Sequence, residues 1–293
     1  MERKRRSLGI SIVLLGAFAG AGRADARGVI VDGRLFHLHV PARYDGSKQV
    51  PLVILIHGIG VSSTLQDAYM RVKDESDARG FIYAYPDGTR LPSPVGQFWN
   101  GANCCQPPLV PPVDDEAYLD HIIQYVRSNY KLDERQIFLI GHSNGAFMAN
   151  RYACHRSQVA AIVTLSGAQY LNPLDCGLPF LGQVAVLHIH GTYDEVTPYL
   201  LSLGYPPAPL TVFNWATRNG CFHIGAPGGA PLDLVSDIPG NETSRKVYAC
   251  LGGALEFWTI NGGYHVPNFY QRGERGRTFG SHALDWLLAH GRR

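Results

Sequence analysis

The stretch Ile137-Phe138-Leu139-Ile140-Gly141-His142-Ser143-Asn144-Gly145-Ala146-Phe147-Met148-Ala149 decides the fold of this chain. Four apolar residues before Gly141 are typical of a strand buried on both faces of a parallel sheet. The small and apolar residues after Gly145 predict a helix packed closely on that sheet. A side chain at either glycine would crowd a tight turn, and such a turn from strand to helix is known as a nucleophile elbow. Ser143 is therefore the candidate nucleophile.

Short apolar runs recur along the whole chain, with helical segments between them. Residues 115–130 place apolar side chains three and four positions apart, as a helix that lies on a sheet requires. This alternation predicts an α/β fold, with a mostly parallel central sheet and helices on both faces. The predicted strands are residues 52–56, 81–85, 137–140, 160–165, 184–190 and 255–260, after a hairpin around residues 29–40.

Residues with chemical function follow the carboxyl ends of the predicted strands, where active sites lie in sheets of this kind. Gly58-Ile59-Gly60 follows the first strand, Ser143 follows the third, and Asp194 and His265 follow the last two. The order serine, acid, histidine is that of α/β-hydrolases and differs from the chymotrypsin and subtilisin orders. The sequence contains rivals for two of these positions. They are Glu195, Asp233 and Asp237 for the acid, and His57, His142, His188 and His190 for the histidine.

Several short motifs together carry a specific resemblance. They are Leu55-Ile56-His57-Gly58, Tyr85-Pro86-Asp87-Gly88, Trp99-Asn100 leading to Cys104-Cys105, Val113-Asp114-Asp115, the elbow, His188-Ile189-His190-Gly191 and Gly262-Gly263-Tyr264-His265. From about Leu35 to its C-terminus the chain resembles the secreted α/β-hydrolase family of polyhydroxybutyrate depolymerases and feruloyl or acetylxylan esterases. After the histidine that family often continues with Trp-Pro-Gly, whereas this chain has Val266-Pro267-Asn268. The departure bears on the substrate more than on catalysis.

The resemblance implies a serine esterase with an α/β-hydrolase fold. Ser143 is expected to attack an ester carbonyl, His265 to move the proton, and Asp194 to orient the imidazole. The backbone N–H groups of Ile59 and Asn144 are expected to stabilise the oxyanion. No residue cluster implies a metal or a cofactor. The expected substrate is an aryl ester, a hydroxyalkanoate oligomer or an esterified polysaccharide.

The sequence leaves two other functions open, and it also offers candidates for the substrate pocket. The same three side chains could transfer the acyl group to a sugar or lipid hydroxyl instead of water. A binding protein on a hydrolase scaffold is a third interpretation, which the intact Ser143, Asp194 and His265 argue against. Three aromatic residues are candidates for lining the substrate pocket, namely Trp99, Tyr199 and Tyr264.

Residues 1–26 have the features of a secretory leader. Basic residues 3–6 precede an apolar run over residues 10–20, and Ala24-Asp25-Ala26 offers the small residues that a signal peptidase requires. Arg5-Arg6 also permits twin-arginine export, so this route and the Sec route both stay open. The apolar run is too short to span a membrane, and no other stretch reaches its length. We expect a soluble protein, secreted or periplasmic, in which residues 27–293 form a single catalytic domain.

The charge of the chain does not favour nucleic acid as a partner. The leader carries five Lys/Arg and two Asp/Glu residues, so its removal lowers the formal charge from +2 to −1. No basic stripe with interleaved aromatic residues is present in the sequence. The apparent basicity therefore belongs to the leader.

Six cysteines in an exported chain indicate disulfides rather than a metal site. Cys221 and Cys250 bracket a polar, glycine-rich segment and are expected to pair. The vicinal pair Cys104-Cys105 does not easily bridge to itself. These two cysteines are therefore expected to reach Cys154 and Cys176.

Overall fold

The computed structural model describes residues 26–92, 96–105, 111–177, 184–270 and 277–292. The predicted leader lies outside these residues apart from Ala26. No helix in the described ranges is long and apolar enough to cross a membrane.

Over the described residues, ten strands form one sheet and two short strands form a separate ribbon. The sheet consists of β1 (Arg27–Val31), β2 (Arg34–His39), β3 (Val50–Ile56), β4 (Ile82–Pro86), β7 (Leu132–His142), β8 (Ala161–Leu165), β9 (Ala185–Gly191), β10 (Ala226–Pro227), β11 (Thr243–Tyr248) and β12 (Leu255–Ile260). The ribbon consists of β5 (Thr89–Arg90) and β6 (Gln97–Phe98).

The strand order of the sheet is β1-β2-β4-β3-β7-β8-β9-β12-β11-β10. The six strands from β4 to β12 pair in parallel, and the outer strands on both sides pair antiparallel. Parallel pairing brings the carboxyl ends of β3, β7, β9 and β12 to the same edge of the sheet. The residues that follow these four strands therefore meet at one edge.

Helices cover both faces of the sheet. They are α1 (Ser63–Met70), α2 (Lys73–Arg79), α3 (Asp115–Asn129), α4 (Asn144–His155), α5 (Ala208–Arg218) and α6 (Phe279–Ala289). One apolar core contains residues of α3, α4 and α5, and the other contains residues of α6 and the end of α1. The predicted mostly parallel α/β sheet is confirmed.

Strand β3 shows why the predicted strands read as continuous apolar runs. Leu52, Ile54 and Ile56 pack into the first core, whereas Val53 and Leu55 pack into the second. Successive side chains of a strand point to opposite faces, and here both faces are buried. Every position of the strand therefore favours an apolar residue.

The bridge between Cys221 and Cys250 is the expected one. Their Cα atoms are 3.7 Å apart, and the segment between them has a sequence separation of 29 residues. The bridge links the end of α5 to the segment after β11.

The other two bridges differ from the expectation. Cys154 pairs with Cys176, with Cα atoms 4.7 Å apart, and Cys104 pairs with its neighbour Cys105. The prediction that Cys104 and Cys105 reach Cys154 and Cys176 is wrong. The physical reason is that Cys154, near the end of α4, already faces the 3₁₀ helix Pro173–Cys176 that packs against it.

Candidate active site

Ser143 lies at the sharp turn between β7 and α4. Its φ of 52° and ψ of −124° are unusual for a residue with a side chain, and such backbone strain concentrates at functional sites. Its N–H donates to the carbonyl of Leu165, the last residue of β8, at 2.9 Å. A Cβ on Gly141 would lie 2.4 Å from the Gly145 carbonyl oxygen, and one on Gly145 would lie 2.1 Å from that of Ile56. The two glycines therefore permit the turn and its contact with β3.

Three side chains from three strand ends form a continuous hydrogen-bonded line. The Ser143 Oγ atom lies 2.8 Å from Nε2 of His265, and Nδ1 of His265 lies 2.9 Å from each oxygen of Asp194. All three residues are buried, with exposed fractions of 8%, 6% and 5% in that order. Because Nδ1 faces a carboxylate, it carries the imidazole proton, and Nε2 is free to accept a proton from the Ser143 hydroxyl.

The turn after β9 surrounds the Asp194 carboxylate with donors. The N–H groups of Val196 and Thr197 donate to its Oδ1 at 3.0 and 2.7 Å, and the Thr197 hydroxyl lies 2.8 Å from its Oδ2. Burial alone would raise the pKa of Asp194. Hydrogen bonds and charge interactions with His190 and His265 outweigh that effect and hold the pKa well below its usual range. The carboxylate is therefore ionised wherever the protein is folded near neutral pH.

Three contacts hold the loop that carries His265. The N–H of His265 donates to Oε2 of Glu195 at 3.2 Å, and its carbonyl accepts from Nε2 of His142 at 3.0 Å. The Tyr69 hydroxyl donates to the carbonyl of Pro267 at 2.8 Å. Glu195 thus binds the backbone of the loop, whereas Asp194 binds the imidazole.

His142 is neutral in the folded protein. Burial, together with repulsion from the His265 charge, lowers its pKa to about 4. Its Nε2–H is therefore present to donate to the loop at neutral pH. His142 therefore has a structural role, because it holds the loop that carries His265.

The amides of Ile59 and Asn144 are the oxyanion donors that the sequence predicts. Asn144 follows Ser143 in the chain, and Ile59 borders the same cleft as Ser143. Within the described residues, neither amide donates a hydrogen bond to another protein group. Neither amide is therefore occupied by another protein group in the described structure, and their role toward an oxyanion stays a prediction.

Two buried side chains fix the loop before Ile59. Oε1 of Gln66 accepts from the Gly58 N–H at 3.0 Å, and Nδ1 of His57 donates to the Gly58 carbonyl at 2.7 Å. The Gly88 N–H donates to Nε2 of His57 at 2.9 Å, which fixes the imidazole tautomer. Burial lowers the pKa of His57, so this histidine is neutral and structural.

Trp99 lies beneath the site and does not line a substrate pocket. Its ring is fully buried and packs between His57 and Tyr118, with ring centroids 5.1 and 6.2 Å away. Its backbone N–H and carbonyl bond the Asn144 side chain at 2.7 and 2.8 Å. The prediction that Trp99 binds substrate is wrong because its ring is part of the core. Its backbone instead fixes the residue that follows the serine.

A cleft of about 590 Å³ opens over Ser143 and His265. Its exposed surface is mostly apolar, and α1 supplies one wall with Leu65, Ala68 and Tyr69. The other bordering residues are Gly58, Ile59, Val61, Gln66, His142, Val196 and Val266. The spacing of Val61, Leu65, Ala68 and Tyr69 is the sequence signal that could have identified this wall.

Tyr199 and Tyr264 do not border this cleft. The Tyr199 hydroxyl bonds Thr259 at 3.1 Å, and its ring stacks on Phe257. Tyr264 is 56% exposed beside His265, and its ring meets Tyr193 edge-to-face. The tyrosine of the cleft is Tyr69, which the sequence interpretation missed.

The remaining rivals from the sequence do not reach the serine. His188 and His190 are buried behind Asp194, and neither contacts Ser143. Asp233 is half-buried and Asp237 is exposed, and neither bonds His265 in the described structure. Among the residues that the structure describes, no three His, Cys, Asp or Glu side chains come together as a metal site requires.

Sequence comparison relates the chain to esterases. Residues 114–217 match the phospholipase/carboxylesterase family. Feruloyl esterase B of Piromyces equi is 28% identical over 243 residues, which cover 77% of this chain and 41% of that protein. Probable feruloyl esterase C of Aspergillus terreus (strain NIH 2624 / FGSC A1156) is 29% identical over 233 residues, which cover 76% of this chain and 77% of that protein. The chain thus spans less than half of the Piromyces equi protein.

Structure comparison supports the fold. Acetyl xylan esterase from Aspergillus awamori superposes with a TM-score of 0.61 at 16% identity, over 96% of this chain and 99% of that one. At this identity the likeness concerns the fold, which is the α/β-hydrolase fold. The resemblance to feruloyl and acetylxylan esterases is confirmed, whereas the resemblance to polyhydroxybutyrate depolymerases stays a prediction.

Proposed function

We propose that the protein is a serine esterase that hydrolyses carboxylic esters. The observation that carries the proposal is the hydrogen-bonded line from Ser143 through His265 to Asp194, with distances of 2.8 and 2.9 Å. The feruloyl esterases among its relatives support the same reaction class.

Acylation begins when Ser143 Oγ attacks the ester carbonyl carbon and His265 Nε2 takes the hydroxyl proton. The Ile59 and Asn144 amides donate to the oxyanion of the tetrahedral intermediate, where one such donor is worth about 3 kcal/mol. As the C–O bond to the alcohol breaks, the His265 imidazolium returns the proton to the leaving oxygen. An acyl group then remains on Ser143.

Deacylation repeats the steps with water. His265 Nε2 takes a proton from water, and the resulting hydroxide attacks the acyl carbonyl. The Ser143 oxygen leaves and receives the proton, so a carboxylic acid is released and the serine is restored. Throughout the cycle, Asp194 stabilises the His265 imidazolium and holds its tautomer.

The cleft favours an ester with a bulky apolar or aromatic acyl group. Its volume of about 590 Å³ exceeds what an acetyl group fills, and its exposed surface is mostly apolar. Feruloyl esters are aromatic esters of this kind, and hydroxyalkanoate oligomers are an aliphatic alternative. We therefore place aryl esters first among the candidate substrates.

The proposed site of action is outside the cytoplasm. Three disulfides occur among the described residues, and such bridges persist in oxidising compartments. The leader features of residues 1–26 agree with export by the Sec or the twin-arginine route. Residues 27–293 would then act as a single catalytic domain.

The experiment compares the purified protein with Ser143→Ala on p-nitrophenyl butyrate and with a fluorophosphonate probe. We expect turnover and labelling for the parent protein, and a loss of about a millionfold in kcat for the variant. Ser166→Ala is a matched control, because Ser166 is also a buried serine with positive φ at the end of a neighbouring strand. This control should keep both turnover and label.

Two outcomes would overturn the proposal. One is a parent protein that neither turns over esters nor takes the label, and the other is a Ser143→Ala variant that remains active. A panel of methyl ferulate, acetylated xylan and hydroxybutyrate oligomers then ranks the substrates. Product analysis with an added acceptor alcohol separates hydrolysis from acyl transfer, because a transferase releases little free acid.

A further inference from the structure

Three buried polar side chains behind the site form a line that the proposed mechanism does not use. The Thr164 Oγ1 atom lies 2.9 Å from Nδ1 of His188, and Nε2 of His188 lies 3.3 Å from Nδ1 of His190. Nε2 of His190 in turn lies 2.7 Å from the Thr197 carbonyl oxygen. The exposed fractions of the three side chains are 0%, 0% and 2%.

The last contact fixes the position of one proton on His190. A carbonyl oxygen only accepts, so Nε2 of His190 carries a proton and donates to Thr197. When the His190 ring is neutral, its Nδ1 accepts from His188 Nε2–H, and Nδ1 of His188 then accepts from the Thr164 hydroxyl, which also lies 3.5 Å from the Leu187 carbonyl oxygen. Burial is the main cause that holds the pKa of His188 well below its usual value, so His188 stays neutral.

The line ends on the turn that holds the acid. Thr197 supplies two donors to Asp194, its N–H at 2.7 Å and its hydroxyl at 2.8 Å. Nε2 of His190 also lies 3.3 Å from Oδ2 of Asp194. The placement of the carboxylate against His265 thus depends on a turn whose carbonyl His190 holds.

We propose that His190 is a positioning residue for Asp194. Thr164 and His188 set the His190 tautomer that carries its proton on Nε2, and this tautomer donates to the Thr197 carbonyl. The proposal rests on the proposed function, in which Asp194 orients His265. His190 touches no reacting atom and acts on Asp194 through the Thr197 turn and through its own contact with Oδ2.

Without the Thr164 hydroxyl, nothing at that end of the line would fix the tautomer of His188. His188 could then carry its proton on Nδ1 and accept at Nε2 from His190 Nδ1–H. Nε2 of a neutral His190 would become an acceptor facing the Thr197 carbonyl, and two acceptors 2.7 Å apart repel. The turn would shift, and the Asp194 carboxylate would move away from His265.

The first test is Thr164→Val, which keeps the side-chain shape and removes the donor. We expect kcat on p-nitrophenyl butyrate to fall by about tenfold to a hundredfold, the cost of a small misplacement in an active site. KM should change little, because Thr164 lies away from the cleft. Thr164→Ser restores the hydroxyl and should restore kcat.

The pH profile gives a readout that a purely structural role would not change. The acid limb of kcat/KM reports the base of the free enzyme, and a displaced carboxylate stabilises the His265 imidazolium less. The midpoint of that limb should therefore move to lower pH in Thr164→Val. Besides Asp194 and His265, the titratable side chains that contact His190 are His188 and Tyr199.

The second test is a double-mutant cycle with His190→Gln. The glutamine amide N–H can reach the Thr197 carbonyl, and it has no tautomer for His188 to set. We expect His190→Gln to keep most of the activity that His190→Leu loses. Thr164→Val should then change kcat by less than about twofold in the His190→Gln background, so the two effects are not additive.

The matched control is Thr211→Val. Thr211 is also fully buried and its hydroxyl donates to the Pro206 carbonyl at 3.3 Å, away from the line. This variant should leave kcat and the pH midpoint unchanged. All rates are normalised to sites titrated with a fluorophosphonate, which removes any loss of folded protein from the comparison.

Two results would overturn the positioning role. One is an equal effect of Thr164→Val in both backgrounds, and the other is an unchanged kcat and pH midpoint per titrated site. If Thr164→Val does not fold, the comparison of His190→Gln with His190→Leu decides alone, and equal losses reject the proposal. Failure of the proposed function would show differently, as a parent protein without turnover or label at Ser143.

Discussion

At the scale of one residue, the lowered pKa of His142 makes the free energy of unfolding depend on pH below neutrality. Its pKa falls from 6.5 to about 4 in the fold. Between these values the unfolded chain binds more protons at this residue than the folded one. The free energy of unfolding therefore falls as the pH drops from about 6.5 to 4, and His142 has no such effect above that window.

His142→Gln tests this coupling. A glutamine amide can donate to the His265 carbonyl, so kcat/KM should stay within about tenfold, the value of one ordinary hydrogen bond. The pH dependence of the unfolding free energy between pH 6.5 and 4 should weaken by up to about 1.4 kcal/mol per pH unit, which corresponds to one proton. Urea unfolding at several pH values measures it. An unchanged slope would mean that His142 binds its proton over the same pH range in the folded and the unfolded protein.

Single residues show where sequence reasoning succeeds and where it fails. Ser143 and His265 follow strand ends, and parallel pairing brings such ends together, so local patterns are enough to place them side by side. An aromatic side chain in a motif suggests binding, so the sequence predicts Trp99 in the pocket. Its burial depends on contacts with His57 and Tyr118, which lie far from it in the sequence. No local pattern contains that information.

At the scale of an element, the elbow depends on how closely α4 approaches β3. In Gly145→Ala the new Cβ would lie 2.1 and 2.5 Å from the carbonyl oxygens of Ile56 and His57. These atoms belong to the end of a central strand and to the loop before Ile59, so they cannot move without disturbing both. We expect a loss of at least about 3 kcal/mol in unfolding free energy, at the upper end of overpacking costs.

Gly28→Ala is the matched control for the elbow. The added Cβ would meet only the tip of the Leu35 side chain at 3.1 Å, on the exposed edge strand β1. We expect a change within about 0.5 kcal/mol, as at other surface positions. Urea unfolding measures both variants. Equal losses of unfolding free energy would contradict the role of the close approach of α4 to β3.

Burial explains which strands the sequence predicts and which it does not. Strands β3 and β4 and the end of β7 are buried on both faces and read as nearly continuous apolar runs. Strand β11 is only partly buried and contains Ser244, Arg245 and Lys246, so its pattern resembles that of a loop. Its pairing with β12 comes from tertiary contacts that a local pattern does not show.

At the scale of the whole molecule, the disulfides join segments that the sheet alone leaves apart. The sequence indicated that cysteines of an exported chain form bridges, but partner choice depends on which segments meet in space. Cys154 and Cys176 meet because the 3₁₀ helix Pro173–Cys176 packs against α4. Non-reducing peptide mapping should find this pair, and a link from Cys104 or Cys105 to either one would contradict it.

The double variant Cys154→Ser/Cys176→Ser should lose stability while it keeps activity. The bridge closes a segment with a sequence separation of 22 residues. In the chain-entropy account, a closed loop of this size stabilises the fold by about 3 kcal/mol through the unfolded state. The Arg218 guanidinium donates to the carbonyl oxygens of Cys154 and Cys176 at 2.8 and 2.5 Å, and these contacts remain in the variant.

Because Arg218 still holds the two segments together, kcat on p-nitrophenyl butyrate should change by less than about twofold even though the unfolding free energy falls. Cys221→Ser/Cys250→Ser provides the comparison, since its bridge spans a similar separation of 29 residues. Loop-closure entropy grows slowly with length, so the two variants should lose nearly equal stability. A much larger loss for the Cys154 and Cys176 pair, accompanied by a fall in kcat, would mean that this bridge holds the folded geometry of α4 and the elbow directly.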